Sequence, residues 1–403
     1  MKKLDVTLGG ATAGTLAEAS PGEIYFEYSA AFIEGGFPLS PYFLPLKEGL
    51  HRERTLVFDG LFGVFDDSLP DGWGRLLMDR EFRSRGVDPA TLSPLDRLAY
   101  IGARGLGALG YKPSLPAAKV SRSPLDLAQV AAQAERIVAG SAEHALPALI
   151  AAGGSPGGAR PKILVFWEPK TEQILAGANQ MPRGYQAWMV KFRAEQDPIQ
   201  AGRLEYAYLL MAQAAGIQVP EYRLFSTKAG DYCATRRFDI APNGQRVHIH
   251  TLGGLIHANQ RVPNRDYQEF LEITLDLTKD HTALIQAYRR MAFNVMAHNR
   301  DDHVKNFAYQ YEAEKGWRLT PAYDLTYSEG IRGQHNMTIL GKGTPEIQDL
   351  RKIADAVGIE RRHAEDCLEE VLSAVSRWPV HARAAGLPRA LTRTVAAALE
   401  LHE

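Results

Sequence analysis

The chain has few cysteines and no long apolar run. Cys233 and Cys367 are the only cysteines among 403 residues, and no C-x-x-C pair occurs. A disulfide framework and a cysteine-rich zinc site are therefore excluded, and a reducing compartment is predicted. No stretch approaches 18 uninterrupted apolar residues, which excludes a spanning helix. Asp5 lies where a secretory signal needs apolar residues, so we expect a cytoplasmic protein with no membrane partner.

The sequence also lacks an excess of charge of either sign. Lysine plus arginine number 46 and aspartate plus glutamate 47, which gives a formal net charge of −1 with neutral histidines. This balance excludes a strongly basic nucleic-acid coat and an acidic tail. The apolar fraction of 45% and the charged fraction of 23% are typical of globular domains.

The length and pattern predict an α+β protein of several domains. Apolar runs at 23–28, 55–58 and 61–65 are strand-like, and 71–85 is helical. A proline- and serine-rich stretch then indicates a linker. The predicted divisions are an N-terminal α+β subdomain (1–112), a linker with helices (113–152), a β-rich nucleotide-binding lobe (153–240) and a helical catalytic lobe (241–403).

Two motifs resemble ligand sites but have simpler interpretations. Gly105 to Gly110 matches G-x-G-x-x-G, yet two prolines follow where a dinucleotide fold requires a helix, so a structural turn is preferred. His248, His250 and His257 could begin a metal site. Because no carboxylate stands at close ligand spacing, hydrogen-bonded core histidines are preferred.

A lysine in an apolar strand is the first sign of a phosphate site. Lys191 lies within the apolar run 187–192, and a buried ammonium requires a counter-charge. Glu205, expected in the first turn of the next helix, could supply it, as in the Lys–Glu pair of kinases. A surface lysine with a buried stem is the alternative.

The loop after the predicted helix 284–298 carries the catalytic pattern. Asp301 and Asn306 have the D-x-x-x-x-N spacing in which the aspartate accepts a hydroxyl proton and the asparagine holds magnesium. The hairpin that follows, with its turn centred near residue 315, would set Asn306 opposite Asp324. An amide and a carboxylate oxygen would then share a Mg²⁺ ion. An exposed hairpin with polar ends is the alternative.

A glycine-rich segment precedes the first strand of the β-rich lobe. Residues 153–162 include Gly157, Gly158 and Lys162, and backbone N–H groups of such a loop can approach phosphates. The Walker A spacing is absent, so a flexible linker remains an alternative.

In these motifs the sequence resembles the HipA family, bacterial serine/threonine kinase toxins of type II toxin–antitoxin modules. Five blocks appear in family order: 64–75, 155–162, 237–239, 301–307 and 320–324. The resemblance implies a protein-kinase-like fold with a small β-rich lobe and a larger helical lobe.

The resemblance also implies roles for individual residues. Asp301 would be the catalytic base, and Asn306 and Asp324 would bind Mg²⁺. ATP would contact the following residues, with Arg236 to Phe238 acting as the adenine hinge through backbone groups: Gly157, Gly158, Lys162, Lys191, Glu205, Arg236, Phe238, His303, Lys305 and Tyr323. Ser155 falls where family members autophosphorylate a serine and thereby silence the kinase.

Partners follow from the same resemblance. The substrate would be a protein, such as an aminoacyl-tRNA synthetase, and a small helix-turn-helix antitoxin would bind the chain. DNA would be contacted only indirectly, through the antitoxin. Two other functions stay open: a small-molecule kinase of aminoglycoside-phosphotransferase type, and a non-catalytic module that senses ATP and binds an antitoxin.

Overall fold

The computed structural model describes residues 1–115, 124–140, 149–150, 152, 158–177, 180–263 and 265–401. The chain divides into two compact units: one comprises 1–199 and 225–257, the other 200–224 and 258–403. The linker centre, 116–123, lies outside the described residues, and the predicted domain boundaries remain predictions. Within the described part of the chain, no helix combines the length and the apolar character needed to cross a bilayer.

The first unit opens with a five-stranded antiparallel sheet in the order β4-β3-β2-β1-β5. Its strands are β1 Lys2–Leu8, β2 Ala11–Ser20, β3 Glu23–Tyr28, β4 His51–Arg52 and β5 Leu109–Lys112. Its helices are α1 Ala30–Gly35, α2 Gly63–Asp66, α3 Gly72–Ser84 and α4 Pro94–Ile101, with a 3₁₀ turn at Pro89–Thr91. Alternate residues of β3, Ile24 and Phe26 among them, are buried against the core, as period-two patterning requires.

The strand-like interpretation of 55–58 and 61–65 is wrong. Residues 57–60 form a turn in which Asp59 and Gly60 have positive φ, and Gly63–Asp66 is the short helix α2. Phe62 and Phe65 are buried. The apolar run therefore indicates only that these residues are buried. A run this short does not distinguish a strand from a helix.

A second five-stranded sheet has the order β7-β6-β8-β10-β9. Its strands are β6 Lys162–Trp167, β7 Ile174–Ala176, β8 Gln186–Lys191, β9 Tyr222–Thr227 and β10 Gly230–Arg236. Other elements here are α5 Leu127–Val138, β11 His248–Thr251 and α7 Leu252–Leu255. Val130 and Ile137 of α5 pack with Ile163, Val165 and Trp188 of the sheet in one buried cluster.

The second unit is mainly helical. Its helices are α6 Ala201–Ala214, α8 Tyr267–Thr278, α9 His281–Met296, α10 Ile347–Ala356, α11 Arg361–Ser376, α12 Trp378–Ala384 and α13 Arg389–Ala398. Its short strands are β12 Arg265–Asp266, β13 Ala308–Glu312, β14 Gly316–Leu319 and β15 Met337–Thr338, with a 3₁₀ turn at Val304–Asn306. Leu284, Tyr288 and Met291 of α9 are fully buried, so this core helix carries the following loop rigidly.

Candidate functional site

Two lysines face each other across the second sheet. Strands β6 and β8 pair antiparallel with Lys162 directly opposite Lys191, so both side chains leave the same face. Lys162 is 5% exposed, and Lys191 is half-buried. Two ammonium groups on one face of a sheet can together bind an anionic group such as a phosphate.

The described end of the glycine-rich segment is anchored by the start of α3. The Gly158 N–H donates to the Asp71 carboxylate, and the Gly158 carbonyl accepts from the Trp73 N–H at 3.1 Å. The Trp73 indole donates to the Lys162 carbonyl at 2.9 Å. A Cβ on Gly72 would meet the Gly158 oxygen at 2.6 Å, so only glycine permits this close approach.

Sequence reasoning gave no role to Asp71, Gly72 or Trp73. They lie in the family-like block 64–75, and that block was the only signal that could have found them. Gly157 and Ser155 lie outside the described residues. Gly158 has a φ of +90°, as a loop of glycines allows.

The predicted hinge follows β10. Arg236 pairs with Trp188, and the Arg237 N–H donates to the Ala187 carbonyl at 2.9 Å, so this amide belongs to the sheet. The Arg237 guanidinium binds Asp239, with Nε 2.9 Å from Oδ1. Burial alone would raise the pKa of Asp239, but Arg237 holds it below its ordinary value. Phe238, which lies between Arg237 and Asp239 in the sequence, is half-buried.

The two sequence motifs that resembled ligand sites have structural roles. Asp239 Oδ2 accepts from the Gly107 N–H at 2.9 Å, and strand β5, which begins at Leu109, stands where a dinucleotide fold requires a helix. The structural-turn interpretation of 105–110 is confirmed. His248, His250 and His257 are buried and hydrogen-bonded, His250 to Asp67 at 2.7 Å, which confirms their interpretation as core histidines.

The loop 299–306 brings Asp301 and Asn306 together. Asn306 Nδ2 donates to the Asp301 backbone carbonyl at 2.7 Å, which closes the loop on itself. Because the amide nitrogen faces that carbonyl, the amide oxygen Oδ1 points to the other side, where it can ligate a cation. The Asp301 side chain is exposed, as a base that must reach a substrate requires.

The predicted pairing of Asn306 with Asp324 is wrong. Tyr309 pairs with Leu319 and Glu312 with Gly316, so the hairpin is centred at residue 314 and not at 315. That register, continued, sets Asn306 opposite Ala322. It does not continue, because Val304–Asn306 is a 3₁₀ turn and the strand begins at Ala308.

A different set of contacts joins the two segments. The Tyr323 hydroxyl donates to the Lys305 carbonyl at 2.7 Å, and Asn299 Nδ2 lies 3.5 Å from the Asp324 carbonyl. Asp324 is half-buried and has a φ of +57°. The segment with Asp324 is thus held against the loop through Tyr323 and Asn299, although not by a strand pair.

Glu205 and Lys191 belong to different units, and their pairing stays a prediction. Glu205 is buried at 9% exposure. It lies in the second turn of α6 and not in the first, because the helix begins at Ala201.

His303 precedes the 3₁₀ turn, and its Nδ1 is buried without a hydrogen-bond partner among the described residues. Lys305, within that turn, is half-buried. Both residues stand in the same short loop as Asp301.

Asp302, next to the proposed base, is completely buried. It accepts hydrogen bonds from the Tyr267 hydroxyl at 2.7 Å, from His335 Nδ1 at 2.8 Å and from the Asn336 N–H at 2.8 Å. Burial raises the pKa of Tyr267 well above its ordinary value, and the Asp302 carboxylate adds to the rise, so this phenol stays a neutral donor.

The donor set near Asp301 fits magnesium better than a softer metal. Among the described residues, no three or more His, Cys, Asp and Glu side chains are grouped to hold a metal. Asn306 and Asp324 offer hard oxygen donors, and Mg²⁺ is commonly bound by one or two such groups together with water and phosphate oxygens. The two lysines and the anchored glycine segment likewise fit a nucleotide phosphate.

Two family models match this chain, one in its N-terminal part and one in its C-terminal part. Residues 4–112 match the HipA N-terminal domain, and residues 154–378, more than half of the chain, match the HipA-like C-terminal domain. A curated relative from Sinorhizobium fredii (strain NBRC 101917 / NGR234), named "Putative kinase Y4dM", is 24% identical over 336 residues, which cover 80% of this chain and 76% of that protein.

A solved structure shows the same fold. It is a chain from the complex of HipA, HipB and operator DNA of the Shewanella oneidensis MR-1 toxin–antitoxin system, with a TM-score of 0.71 and 20% identity. The match covers 98% of this chain and 94% of that one. The predicted α+β, kinase-like two-lobed fold is confirmed. The two domain matches show that the chain belongs to the HipA family.

Proposed function

We propose that this HipA-type chain is an ATP- and Mg²⁺-dependent serine/threonine protein kinase. The observation that carries the proposal is the closed loop 299–306, in which Asn306 binds the Asp301 carbonyl at 2.7 Å while the Asp301 carboxylate is exposed. This geometry presents one carboxylate to a substrate hydroxyl and one amide oxygen to a cation. Both groups are required for phosphoryl transfer by the kinase pattern.

The residues divide by role. Asp301 accepts the hydrogen bond of the substrate hydroxyl and orients its oxygen toward the γ-phosphorus. Asn306 and Asp324 would hold Mg²⁺, which neutralises charge on the phosphates when bound. Lys162 and Lys191 would stabilise the negative charge that develops on the transferred group.

Nucleotide binding is assigned to backbone groups of the β-rich lobe and to side chains of later segments. Backbone N–H groups near Gly157 and Gly158 would contact phosphates, and the backbone of Arg236 to Phe238 would contact the adenine ring. Glu205 would orient Lys191. His303, Lys305 and Tyr323 are proposed to line the nucleotide.

Substrate and partners are proposed from the family. The acceptor would be a protein, such as an aminoacyl-tRNA synthetase, and Ser155 would be an autophosphorylation site that silences the kinase. The Shewanella structure contains HipB and operator DNA. By analogy, a small antitoxin would bind this chain and carry any DNA contact. A cytoplasmic location is proposed with them.

The test is phosphoryl transfer to hydroxyl acceptors of different class. Purified protein is incubated with Mg-ATP and a mixed library of serine, threonine and tyrosine peptides, and phosphopeptides are identified by mass spectrometry. We expect modified serine and threonine peptides, and none with Asp301→Asn. Asp276→Asn is the matched control, because Asp276 is exposed and forms a surface ion pair with Lys279.

Two outcomes would contradict the proposal. Phosphorylation of aminoglycosides but of no peptide would identify a small-molecule kinase. Binding of ATP without transfer to any acceptor would identify an ATP-sensing module.

A further inference from the structure

We propose that Asp302 is a positioning residue that fixes the loop of Asp301 against His335 and Asn336. Its hydrogen bonds would act mainly on the rate of phosphoryl transfer and much less on nucleotide affinity. The inference rests on the proposed kinase function. It concerns a residue that touches neither ATP nor acceptor, because its side chain has no exposed surface.

The hydrogen bonds of Asp302 explain how a carboxylate can be buried there. Burying a charge is costly unless donors replace water. Tyr267, His335 and the Asn336 amide supply three donors at 2.7, 2.8 and 2.8 Å. Adjacent Cα atoms are about 3.8 Å apart, so fixing Asp302 also fixes the backbone from which Asp301 projects.

The donors are themselves held by buried groups. The Tyr267 hydroxyl accepts from Asn294 Nδ2 at 2.9 Å, and Asn294 Oδ1 accepts from Asn299 Nδ2 at 2.9 Å. Asn294 and Asn299 are each 2% exposed. The network therefore reaches from α9 to the first residue of the loop, and it holds the loop at Asn299 as well as at Asp302.

The segment on the other side of Asp302 is also fixed. Directly after Asn336, strand β15 pairs in parallel with β12. Asp266, at the start of α8, accepts from Thr338 Oγ1 at 2.7 Å and from the Gly341 N–H at 2.9 Å. Asp302 thus connects two anchored segments, so it can transmit a fixed position to its neighbour.

Such a role has a kinetic signature. A general base works only within hydrogen-bond reach of the acceptor hydroxyl, and a displacement of about 1 Å can lower the rate on the order of 100-fold. Lys162, Lys191 and Gly158, which are assigned to the ATP phosphates, lie elsewhere in the sequence, whereas His303 and Lys305 belong to the loop itself. Loss of the Asp302 contacts should therefore lower kcat much more than it raises the KM for ATP.

The experiment compares variants of buried groups in the same unit. Asp302→Asn places an amide opposite the Tyr267 and His335 donors, and Tyr267→Phe removes one donor. Tyr288→Phe is the matched control, because the buried Tyr288 hydroxyl donates to the Leu350 carbonyl at 3.0 Å. We expect kcat to fall on the order of 100-fold in Asp302→Asn and about 10-fold in Tyr267→Phe, with a much smaller change in the KM for ATP, about threefold at most. Tyr288→Phe should lower only Tm.

A conservative replacement at His335 provides a rescue. His335→Asn keeps an N–H where Nδ1 stands, whereas His335→Leu removes it. We expect the asparagine variant to retain most of the activity that the leucine variant loses. Wild-type kcat in folded Asp302→Asn and Tyr267→Phe would overturn the proposal, and so would an equal loss in Tyr288→Phe.

Amide hydrogen exchange separates this proposal from the kinase proposal. If the wild type transfers no phosphoryl group, the proposed function fails, but exchange at residues 299–306 still reports on the loop. Faster exchange in Asp302→Asn than in Tyr288→Phe supports the positioning role. Equal protection in both variants overturns it.

Discussion

At the scale of residues, burial gives similar side chains different tasks. Asp301 is exposed and can meet a substrate, whereas its neighbour Asp302 is enclosed by donors. Lys162 and Lys191 stand directly opposite each other on neighbouring strands, but Lys162 is buried and Lys191 is half-buried. Residues of the same type that are neighbours in the fold therefore differ in how readily they reach a ligand.

Removing one of the facing lysines should weaken nucleotide binding. Lys162→Met preserves the length and much of the apolar stem but deletes a cation. We expect the Kd for Mg-ATP, measured by calorimetry, to rise about tenfold, which corresponds to about 1.4 kcal/mol. Lys170→Met, at an exposed position of the same unit, should leave it unchanged. An unchanged Kd in Lys162→Met would contradict the phosphate-binding role.

At the scale of elements, the sequence predicted those strands and helices whose own residues determine their structure. The strand at 187–192 and the helix at 284–298 were predictable, because each has a period or composition of its own. The hairpin register was not, because a one-residue error in the turn centre shifts the partner of Asn306 by two. Asp302 was also beyond local reasoning, since Tyr267 and His335 lie 35 and 33 residues away in the chain.

A glycine contact between two short helices gives a stability prediction. A Cβ on Gly63 of α2 would clash with the Gly254 carbonyl of α7, with the carbon atoms of Gly254 at 2.7 Å. We expect Gly63→Ala to lower the free energy of unfolding by about 1–3 kcal/mol, measured by urea denaturation.

Gly35→Ala is the control for this substitution. Gly35 also lies in a helix, but nothing stands within 4 Å of its Cβ position. It should be neutral or stabilising by up to about 1 kcal/mol. A Gly63→Ala protein as stable as Gly35→Ala would show that the α2–α7 contact is not tight.

At the scale of the whole molecule, the family architecture was predictable because its motifs appear in order along the chain. The domain matches at 4–112 and 154–378 agree with that order. The anchoring of Gly158 by Asp71 and Trp73 was not predictable, because 87 residues separate Gly158 from Asp71 in sequence. Segments that are far apart in the sequence therefore belong to one structural unit.

Global stability should fall in mild acid because of the buried His248. Burial lowers the pKa of His248 from 6.5 to about 4, so between these values the unfolded state binds a proton that the folded state rejects. This protonation leaves the free energy of unfolding unchanged above pH 6.5. It lowers that free energy progressively as the pH falls, by about 3 kcal/mol at pH 4. His248→Gln keeps an N–H for the Leu39 carbonyl, which His248 Nε2 contacts at 3.0 Å.

The measurement is the urea midpoint at several pH values. The wild type should lose more stability than His248→Gln between pH 6.5 and 4. Parallel curves for the two proteins would contradict the buried neutral state of His248.

The most direct test of the central claim is the intact mass of phosphatase-treated protein after incubation with Mg-ATP. The account predicts a gain of one phosphate in the wild type and no gain in either Asp301→Ala or Ser155→Ala. Peptide transfer should persist in Ser155→Ala, since this serine is only the acceptor. A wild-type protein that binds Mg-ATP but gains no mass and modifies no peptide would contradict the account.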